Sequence, residues 1–352
     1  MTALAYVIGP LVVALITNST GTYTNRWAYR AVFCAQYGFA AIALTGVMFM
    51  PESPWWLISK GREDKARSSL RKLGYNDNES AKKLALIKTT LEEVRQETEG
   101  ATYLECFRRS NLRRTIISIM PLSIQAFSGV VFAAGYSTYY MQLAGYSTAM
   151  SFQLQIVQQI CSLVGNVMSY FVIDRVGRRN MMFYGLAVLT AILMLTGGLA
   201  VVGSDTGNPN AGGAIKGTVA LILIYCWWYN MTIGAAGYTI LAEVSTSRLR
   251  IKTIAIGLAL QNALYTMWSF VLPYLFNPDE ANLGAKVSFI FGGLCVLCLV
   301  YLWFFQPETT GRTYAELDEM FMNKVSARKF KQYKTDAEAM GRAAKGGKEM
   351  EA

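Results

Sequence analysis

Amide and aromatic side chains recur on single helical faces within long apolar stretches of this 352-residue chain. At about 100° of rotation per residue, each of three stretches aligns one set of them. The sets are Gln125, Gly129, Phe132, Tyr136 and Tyr139; then Gln155, Gln159, Ser162, Asn166 and Ser169; then Gln261, Tyr265 and Trp268, with Asn262 beside them. Amides both donate and accept hydrogen bonds, and aromatic faces stack on the apolar face of a sugar ring. This combination indicates recognition of uncharged hydroxyl groups.

An amide inside a bilayer must be hydrogen-bonded, because an unpaired polar group there costs several kcal/mol. Hydrogen bonding between helices is an alternative explanation for the second set alone. Three sets on three helices favour a shared wet cavity. No charged residue lies deep in any apolar stretch, so the cavity suits a neutral polyhydroxylated solute. The small residues Gly234–Gly237, followed by Tyr238, would permit close approach or bending, although plain helix packing uses such residues as well.

The stretches that carry these residues are long enough to cross a membrane. The chain is 53% hydrophobic and only 16% charged, and residues 115–173 contain no Asp, Glu, Lys or Arg. A spanning helix needs about 20 apolar residues, so the sequence predicts an all-α polytopic membrane protein with eight spans. Their approximate ranges are 3–20, 31–50, 115–142, 150–172, 181–203, 217–242, 253–276 and 287–305. A buried helix of a soluble core could explain one such stretch, but not eight.

The basic residues predict which side of the membrane each loop faces. Of 33 Lys and Arg residues, 14 lie in segment 51–114, three in 174–180, three in 243–252 and nine after residue 306. Because cytoplasmic loops carry the excess of Lys and Arg, these segments and the C-terminus are expected in the cytoplasm. The net charge of +10 is therefore an orientation signal. Nucleic-acid binding is not expected, since the charge is spread over membrane-flanking loops.

Charged residues of both signs also meet at the predicted cytoplasmic ends of the spans. One turn carries Asp174, Arg175, Arg178 and Arg179, and Glu243 ends another span shortly before Arg250. Carboxylates and arginines at neighbouring helix ends can form bidentate pairs that lock one conformation and break in another. The alternative is that these charges only set the topology.

Two similar tags divide the chain into unequal parts. Pro51-Glu52-Ser53-Pro54 follows the second predicted span, and Pro307-Glu308-Thr309-Thr310-Gly311-Arg312 follows the eighth. If the tags close equivalent halves, the first half holds two spans and the second holds six. The predicted organisation is then two helices of an N-terminal bundle (1–50), a cytoplasmic helical linker (51–114), a six-helix bundle (115–306) and a cytoplasmic tail (307–352). A capping box at Thr313–Glu316 predicts a short helix in that tail, with disorder from about residue 323.

Cofactor and metal chemistry find little support in the residue types. The chain has no histidine, and five of its six cysteines lie in apolar stretches where they are expected to pack as small residues. No nucleophile–base pair or metal cluster is apparent, so we expect no enzymatic activity, no cofactor and no metal.

Taken in order, the motifs resemble those of the sugar porter branch of the major facilitator superfamily. The matching segments are Pro51–Leu57, the Asp174–Arg179 turn, Glu243 with Arg250, and Pro307–Thr313. Trp55-Trp56, and Gly135–Tyr140 before Ala144-Gly145, are most similar to fungal α-glucoside (maltose-type) permeases.

The resemblance implies proton-coupled sugar import by alternating access, with the lipid bilayer, a small sugar and a proton as partners. It implies that Gln125, Tyr136, Gln261 and Asn262 line the sugar site, and Tyr238 stands where the family usually has Trp. Tyr139, Gln159 and Asn166 join them as candidates from their helical faces. The candidate conformational charge network comprises Glu52, Asp174, Arg175, Arg178, Arg179, Glu243, Arg250, Glu308 and Arg312.

Several positions depart from the family pattern. Ala126 and Val131 replace two polar residues, and Pro10 stands where many members have a membrane-embedded Gln. The hydrogen-bond set therefore differs from that of a hexose carrier, and α-glucoside permeases depart from the family pattern in the same region.

The resemblance aligns residue 3 with the start of the family's fifth helix, so the first four helices, with the proton-carrying acid, are expected to be missing. The expected product is a multi-pass protein of a fungal plasma membrane, monomeric unless another chain completes it. Three alternatives stay open: a sugar sensor without transport, a general hexose transporter, and an incomplete, inactive form.

Overall fold

The computed structural model describes residues 2–98, 100–203, 209–277, 279–333 and 335, and all regular secondary structure within them is helical. The α-helices are α1 (Thr2–Thr20), α2 (Trp27–Phe49), α3 (Pro54–Ser59), α4 (Glu63–Lys72), α5 (Asp77–Thr98), α6 (Arg109–Phe127), α7 (Ser137–Leu143), α8 (Thr148–Val176), α9 (Arg178–Gly203), α10 (Ala211–Met231), α11 (Ile233–Val244), α12 (Arg250–Phe276), α13 (Ser288–Phe305) and α14 (Tyr314–Met322). The predicted all-α class is confirmed.

Six helical segments of the described chain are long and apolar enough to cross a membrane. They are Trp27–Phe49, Thr148–Val176, Arg178–Gly203, Ala211–Val244, Arg250–Phe276 and Gly284–Phe305. The other two predicted spans differ from a simple rod. The apolar part of the first, Tyr6–Thr20, is shorter than a full span, and the third, 115–142, is divided into α6, a short π-helix (Val131–Gly135) and α7.

Helices α6–α13 enclose one apolar core. Its centre is a group of aromatic rings in which Phe132 stacks on Phe276 and Phe291, at ring-centroid distances of 5.7 and 6.4 Å. Trp268 packs on Phe291 at 4.6 Å. Phe132, Phe276 and Phe291 are almost completely buried. This core brings the polar faces of α6, α8 and α12 into one bundle.

Side chains from two neighbouring helices stabilise the break between α6 and α7. The Gln158 amide on α8 is fully buried and donates to the carbonyls of Ala133 and Ala134, at 3.2 and 3.4 Å. The Ser137 hydroxyl, in the first residue of α7, donates to Gln158 Oε1 at 2.6 Å. On α10, the Tyr225 hydroxyl donates to the Ser128 carbonyl at 2.7 Å. Carbonyls released by the break are thus bonded within the protein, as a lipid environment requires.

A second break divides the predicted span 217–242 into α10 and α11 at Thr232. The Thr232 backbone leaves the helical region, with φ −113° and ψ −86°, and its hydroxyl donates to the Trp228 carbonyl at 2.7 Å. Gln125 of α6 donates its amide hydrogens to the carbonyls of Ile233 and Gly234, at 2.9 and 3.3 Å. The start of α11 is therefore attached to α6.

The two N-terminal helices lie beside this bundle. Helix α1 packs along α8, and α2 packs on α1. No residue of α2 is buried by the described chain. Because lipid tails solvate apolar side chains, such a surface is compatible with a helix in a membrane.

The segment between the spans folds as three helices, α3 to α5, around Leu57, Ala66, Leu70 and Leu84. Helix α5 begins at Asp77.

The C-terminal segment contains the predicted capping box, in which Thr313 and Glu316 bond reciprocally. The prediction of disorder from residue 323 is wrong for residues 323–333. Phe330 is buried against Leu317 and Met320, an apolar contact that the Lys-rich composition concealed. Lys334 and residues 336–352 lie outside the described residues.

We expect Gln158→Leu to lower the apparent melting temperature of the purified protein. The substitution leaves the Ala133 and Ala134 carbonyls without their amide donor, and a buried unsatisfied group costs about 1–3 kcal/mol. Gln159→Leu is the matched control, because Gln159 is the half-buried neighbour on the same helix. Thermal unfolding in detergent, followed by tryptophan fluorescence, measures both variants. Equal melting temperatures for the two would contradict the role assigned to Gln158.

Candidate functional site

Two buried glutamines form the centre of the candidate site. Gln261 of α12 donates to Gln125 Oε1 of α6 at 2.6 Å, and its amide nitrogen lies 3.3 Å from the Tyr265 hydroxyl. Gln125 and Gln261 are 1% and 2% exposed. The Tyr238 hydroxyl of α11 donates to Gln261 Oε1 at 3.4 Å. The structure therefore brings together predicted residues from three helices, which we call the amide cluster: Gln125, Tyr238, Gln261 and Tyr265.

The absence of a side chain at Gly237 makes room for this cluster. A Cβ atom at that position would overlap the Gln125 amide nitrogen and lie 3.1 Å from its amide carbon. Gly237 thus lets α11 approach α6 closely enough for Gln125 to reach the carbonyls at the start of α11.

A cavity of about 540 Å³ lies next to the amide cluster. Its walls come from α1, α8, α11 and α12, and they include Tyr6, Ser169, Gly234 and Tyr238. Its volume falls within the usual range for small-molecule sites, roughly 300–1,000 Å³. Tyr238 belongs both to the cavity wall and to the amide cluster, so a solute in the cavity would meet the cluster through this ring.

Tyr136 and Tyr139 lie away from the amide cluster, toward the C-terminal end of α12. The Tyr136 hydroxyl donates to the Ser269 carbonyl at 2.8 Å, and the Tyr139 hydroxyl donates to Asn277 Oδ1 at 2.7 Å. At about 1.5 Å per residue, these partners lie roughly 12 and 24 Å beyond Gln261 along the chain. Both tyrosine rings also contact Phe276. These contacts hold α7 against the end of α12.

Three further predicted residues make no hydrogen bond to the amide cluster in the described part of the chain. Asn262 is exposed and donates to the Leu258 carbonyl of its own helix at 2.9 Å. Gln159 is half-buried on α8. Asn166 is 3% exposed, and its Oδ1 atom has no hydrogen-bond partner. The Asn166 carbonyl accepts from the hydroxyl of Ser169, which lines the cavity.

Sequence reasoning missed Gln158, although it adjoins the predicted Gln159. One helical step of about 100° turns Gln158 toward the break before α7. The pair of adjacent glutamines was the available signal.

Glu243 and Arg178 are the centre of the candidate charge network, at the end of α11 and the start of α9. Arg178 approaches Glu243 Oε1 with two nitrogens, at 3.2 and 3.1 Å, and pairs with Asp174 at 2.9 Å. The second Glu243 oxygen accepts from the Thr309 hydroxyl at 2.7 Å. This contact joins the end of α11, the α8–α9 turn and the segment after α13.

Glu308 caps the start of α9. Its two oxygens accept from the backbone N–H groups of Arg178 and Arg179, at 3.0 and 3.2 Å. A carboxylate at a helix N-terminus is favoured by the helix dipole and by the unpaired N–H groups there. Gly177 makes this possible, because its φ is +90° and a Cβ atom would lie 2.7 Å from Glu308 Oε2.

The other predicted network residues lie around this centre. The Arg250 guanidinium stacks 4.1 Å above the Tyr314 ring, and Arg179 donates to the Trp303 carbonyl at 3.0 Å. Arg312 donates to the carbonyls of Phe330 and Tyr333. Arg175 lines a neighbouring basic cavity, and Glu52 accepts from the Ser53 amide at 3.0 Å within the linker.

Arg114, also missed from the sequence, attaches α14 to the bundle. It pairs with Asp318 and donates to the Val244 carbonyl at 2.6 Å. Its guanidinium also lies 4.8 Å from the Phe321 ring. Burial lowers the pKa of the Arg114 guanidinium below its ordinary value, and the neighbouring Asp318 carboxylate opposes that shift. The signal in the sequence was an arginine directly before the charge-free run that begins at residue 115.

Helices broken around a buried polar site are typical of membrane transporters. The family described as "Sugar (and other) transporter" matches residues 1–321, and the chain belongs to this family. The predicted resemblance is confirmed.

Relatives and solved structures agree with this assignment. The maltose permease MAL31 of Saccharomyces cerevisiae is 34% identical over 349 residues, which cover 97% of this chain and 56% of the relative. A general alpha-glucoside permease of the same organism is 34% identical over 86% of this chain and 49% of its own length. The chain thus spans about half the length of these relatives. The inward-open xylose transporter XylE from E. coli has the same fold, with a TM-score of 0.68 at 21% identity, over 90% of this chain and 63% of XylE.

We expect Glu308→Gln to destabilise the start of α9. The amide lacks the negative charge that faces the helix N-terminus, an interaction worth up to about 2 kcal/mol in partly buried sites. Hydrogen–deuterium exchange of the first turn of α9 should accelerate. Glu93→Gln is the control, because Glu93 is exposed on the linker helix α5. Unchanged protection of this turn in the Glu308 variant would contradict the capping role.

Proposed function

We propose that the chain serves secondary active transport of neutral sugars, as an α-glucoside:proton symporter that works by alternating access. The observation that carries the proposal is the amide cluster beside the cavity of about 540 Å³. The names of the relatives, maltose permease and general alpha-glucoside permease, support the sugar class. Because the chain spans about half of their length, the activity itself belongs to the proposal.

The amide cluster suits a sugar because its groups can exchange partners. Gln125 and Gln261 are hydrogen-bonded to each other, and both amides donate as well as accept. A hydroxyl group that inserts beside them would replace one neutral hydrogen bond with another of similar strength. The unpartnered Oδ1 of Asn166 is one further acceptor for a hydroxyl group. The other predicted positions, Tyr136, Tyr139, Gln159 and Asn262, remain part of the proposed site.

Alternating access needs parts that move against each other, and the broken helices are suited to it. The Tyr136 and Tyr139 contacts close one end of the α7–α12 boundary, whereas Glu243 and Arg178 join helix ends at the cytoplasmic side. Contacts of this kind lock one conformation and separate in another. The proposal assigns opposite gates to these two groups.

The proton and the location complete the proposal. Asp174 and Glu243 lie near the ends of α8 and α11, two helices that line the cavity, and they are the proposed candidates for the coupling proton. The proposed protein is monomeric in the plasma membrane of a fungus, has its C-terminus in the cytoplasm and is not an enzyme. Its proposed parts are 1–50, 51–114, 115–306 and 307–352, as the two tags divide them.

We expect Gln125→Ala and Gln261→Ala each to weaken maltose binding about tenfold, the loss of one hydrogen bond of about 1.4 kcal/mol. Binding of radiolabelled maltose to the purified chain is the measurement. Gln153→Ala is the control, because this amide is exposed on α8. Unchanged affinity in both cluster variants, with normal melting temperatures, would remove the amide cluster from the sugar site.

In cells that lack sugar transporters, we expect the chain to take up radiolabelled maltose, and a protonophore to abolish the accumulation. Symport couples sugar movement to the proton gradient, which a protonophore dissipates. Glucose uptake measured beside it tests the sugar class. Maltose binding without uptake would contradict transport by this chain and favour a sensor or an incomplete, inactive form, whereas uptake unaffected by the protonophore would contradict proton coupling.

A further inference from the structure

Five cationic side chains surround a cavity of about 410 Å³ between the α8–α9 turn and the C-terminal segment. We call it the basic basin; its cationic residues are Arg175, Arg179, Arg312, Arg328 and Lys331. One carboxylate, Glu308, also lines it. The cations therefore exceed the anions by four around this cavity, by five minus one.

The single carboxylate is already occupied. Glu308 accepts from the N–H groups at the start of α9 and from the Thr310 hydroxyl at 2.6 Å. Arg312 pairs with Glu316 at 3.6 Å, just outside the cavity wall, whereas Arg175 and Lys331 form no ion pair with any carboxylate in the described part of the chain. The basin thus retains a strong positive potential. Arginine is well suited to phosphate in such a site, because its planar guanidinium binds phosphate oxygens in pairs.

An aromatic cleft of about 220 Å³ continues from the basin along the outside of α9 and α13. The cleft and the basin share Arg179 and Arg328. Its other walls include Phe183, Tyr184 and Trp303. Tyr184 and Trp303 are 63% and 49% exposed. Tryptophan and tyrosine rings of this kind lie at the level of lipid headgroups, and the cleft follows the faces of two spanning helices.

The Arg328 guanidinium marks the boundary between the two cavities. It lies 5.3 Å from the Trp303 ring and 4.9 Å from the Phe304 ring, at the cytoplasmic end of α13. Two residues further on, the buried ring of Phe330 packs against Leu317 and Met320 and so folds residues 323–333 back onto α14. The C-terminal segment therefore supplies the cations Arg328 and Lys331, and the spanning helices supply the aromatic walls.

We propose that the basic basin and the aromatic cleft together bind one anionic phospholipid. Its phosphate-bearing headgroup occupies the basin, and its glycerol and upper acyl chains lie in the cleft. Basic pockets beside cytoplasmic helix ends are suited to such headgroups. A soluble phosphate would occupy the basin alone. The cleft, which continues from the basin along the lipid-facing side, would be filled only by a ligand with acyl chains.

The test measures binding of dioctanoyl phosphatidylinositol 4-phosphate to the full chain purified in detergent. Dioctanoyl phosphatidylcholine and inorganic phosphate are the comparison ligands. We expect Arg328→Gln/Lys331→Gln to weaken binding of the anionic lipid about 30-fold, as two lost charges imply. The control Arg67→Gln/Lys82→Gln removes the same charge from exposed positions on α4 and α5 and should leave the affinity unchanged.

A second variant separates the lipid from a soluble anion. Tyr184→Ala shortens the cleft wall without touching a cation, so it should weaken lipid binding and leave phosphate binding unchanged. Equal losses in the basin and control variants, or equal binding of phosphatidylcholine, would overturn the site. Inorganic phosphate binding as tightly as the lipid would overturn the lipid assignment. Maltose binding is measured on the same samples, so failure of the lipid site is distinct from failure of the sugar site.

Discussion

In a bilayer, each carbonyl and N–H group released by a broken helix must find its partner inside the protein. This constraint decides which buried polar side chains bond the backbone and which are available to bind a solute. Gln158 and Tyr225 are used at the break before α7, where they bond the backbone of Ala133 and Ser128. Gln125 is used at the start of α11. The breaks exist because these buried polar side chains stabilise them, and the cavity lies beside the second one.

The same constraint gives Gln125 two roles. Its nitrogen holds the carbonyls of α11, while its oxygen accepts from Gln261. A solute hydroxyl that replaces Gln261 as the donor to Gln125 Oε1 leaves Gln125 Nε2 bonded to the carbonyls of α11. Binding of the solute therefore need not release α11. Changes in the position of α11, by contrast, must alter the nitrogen's contacts and thereby turn the oxygen. In the proposed site, substrate contact and helix position are therefore linked through one amide group, and Gly237 provides the close approach on which both depend.

The sequence predicted the features that depend on composition and on local spacing. The apolar stretches, the capping box at Thr313 and the family all follow from residues near one another in the chain. Features set by tertiary packing were harder to predict. A continuous apolar run does not reveal a break at Thr232, since the bonds that stabilise it come from other helices. Gln158 differs from Gln159 only by its helical phase. The tail around Phe330 is polar in composition, and its fold depends on a single buried ring that packs against Leu317 and Met320.

Two adjacent residues after α13 connect the ends of three helices at one end of the bundle. Glu308 binds the backbone at the start of α9, and Thr309 binds the carboxylate of Glu243 at the end of α11. Arg178 closes the ring, because its backbone N–H meets Glu308 while its side chain meets Glu243. No one of these contacts can be lost without displacing a neighbour in the same short segment. In this conformation the ends of α9, α11 and α13 are therefore held together, and the separation of Arg178 from Glu243 that the proposed gate requires would release them from one another. The breaks at Thr232 and before α7 are the places where the helices can bend.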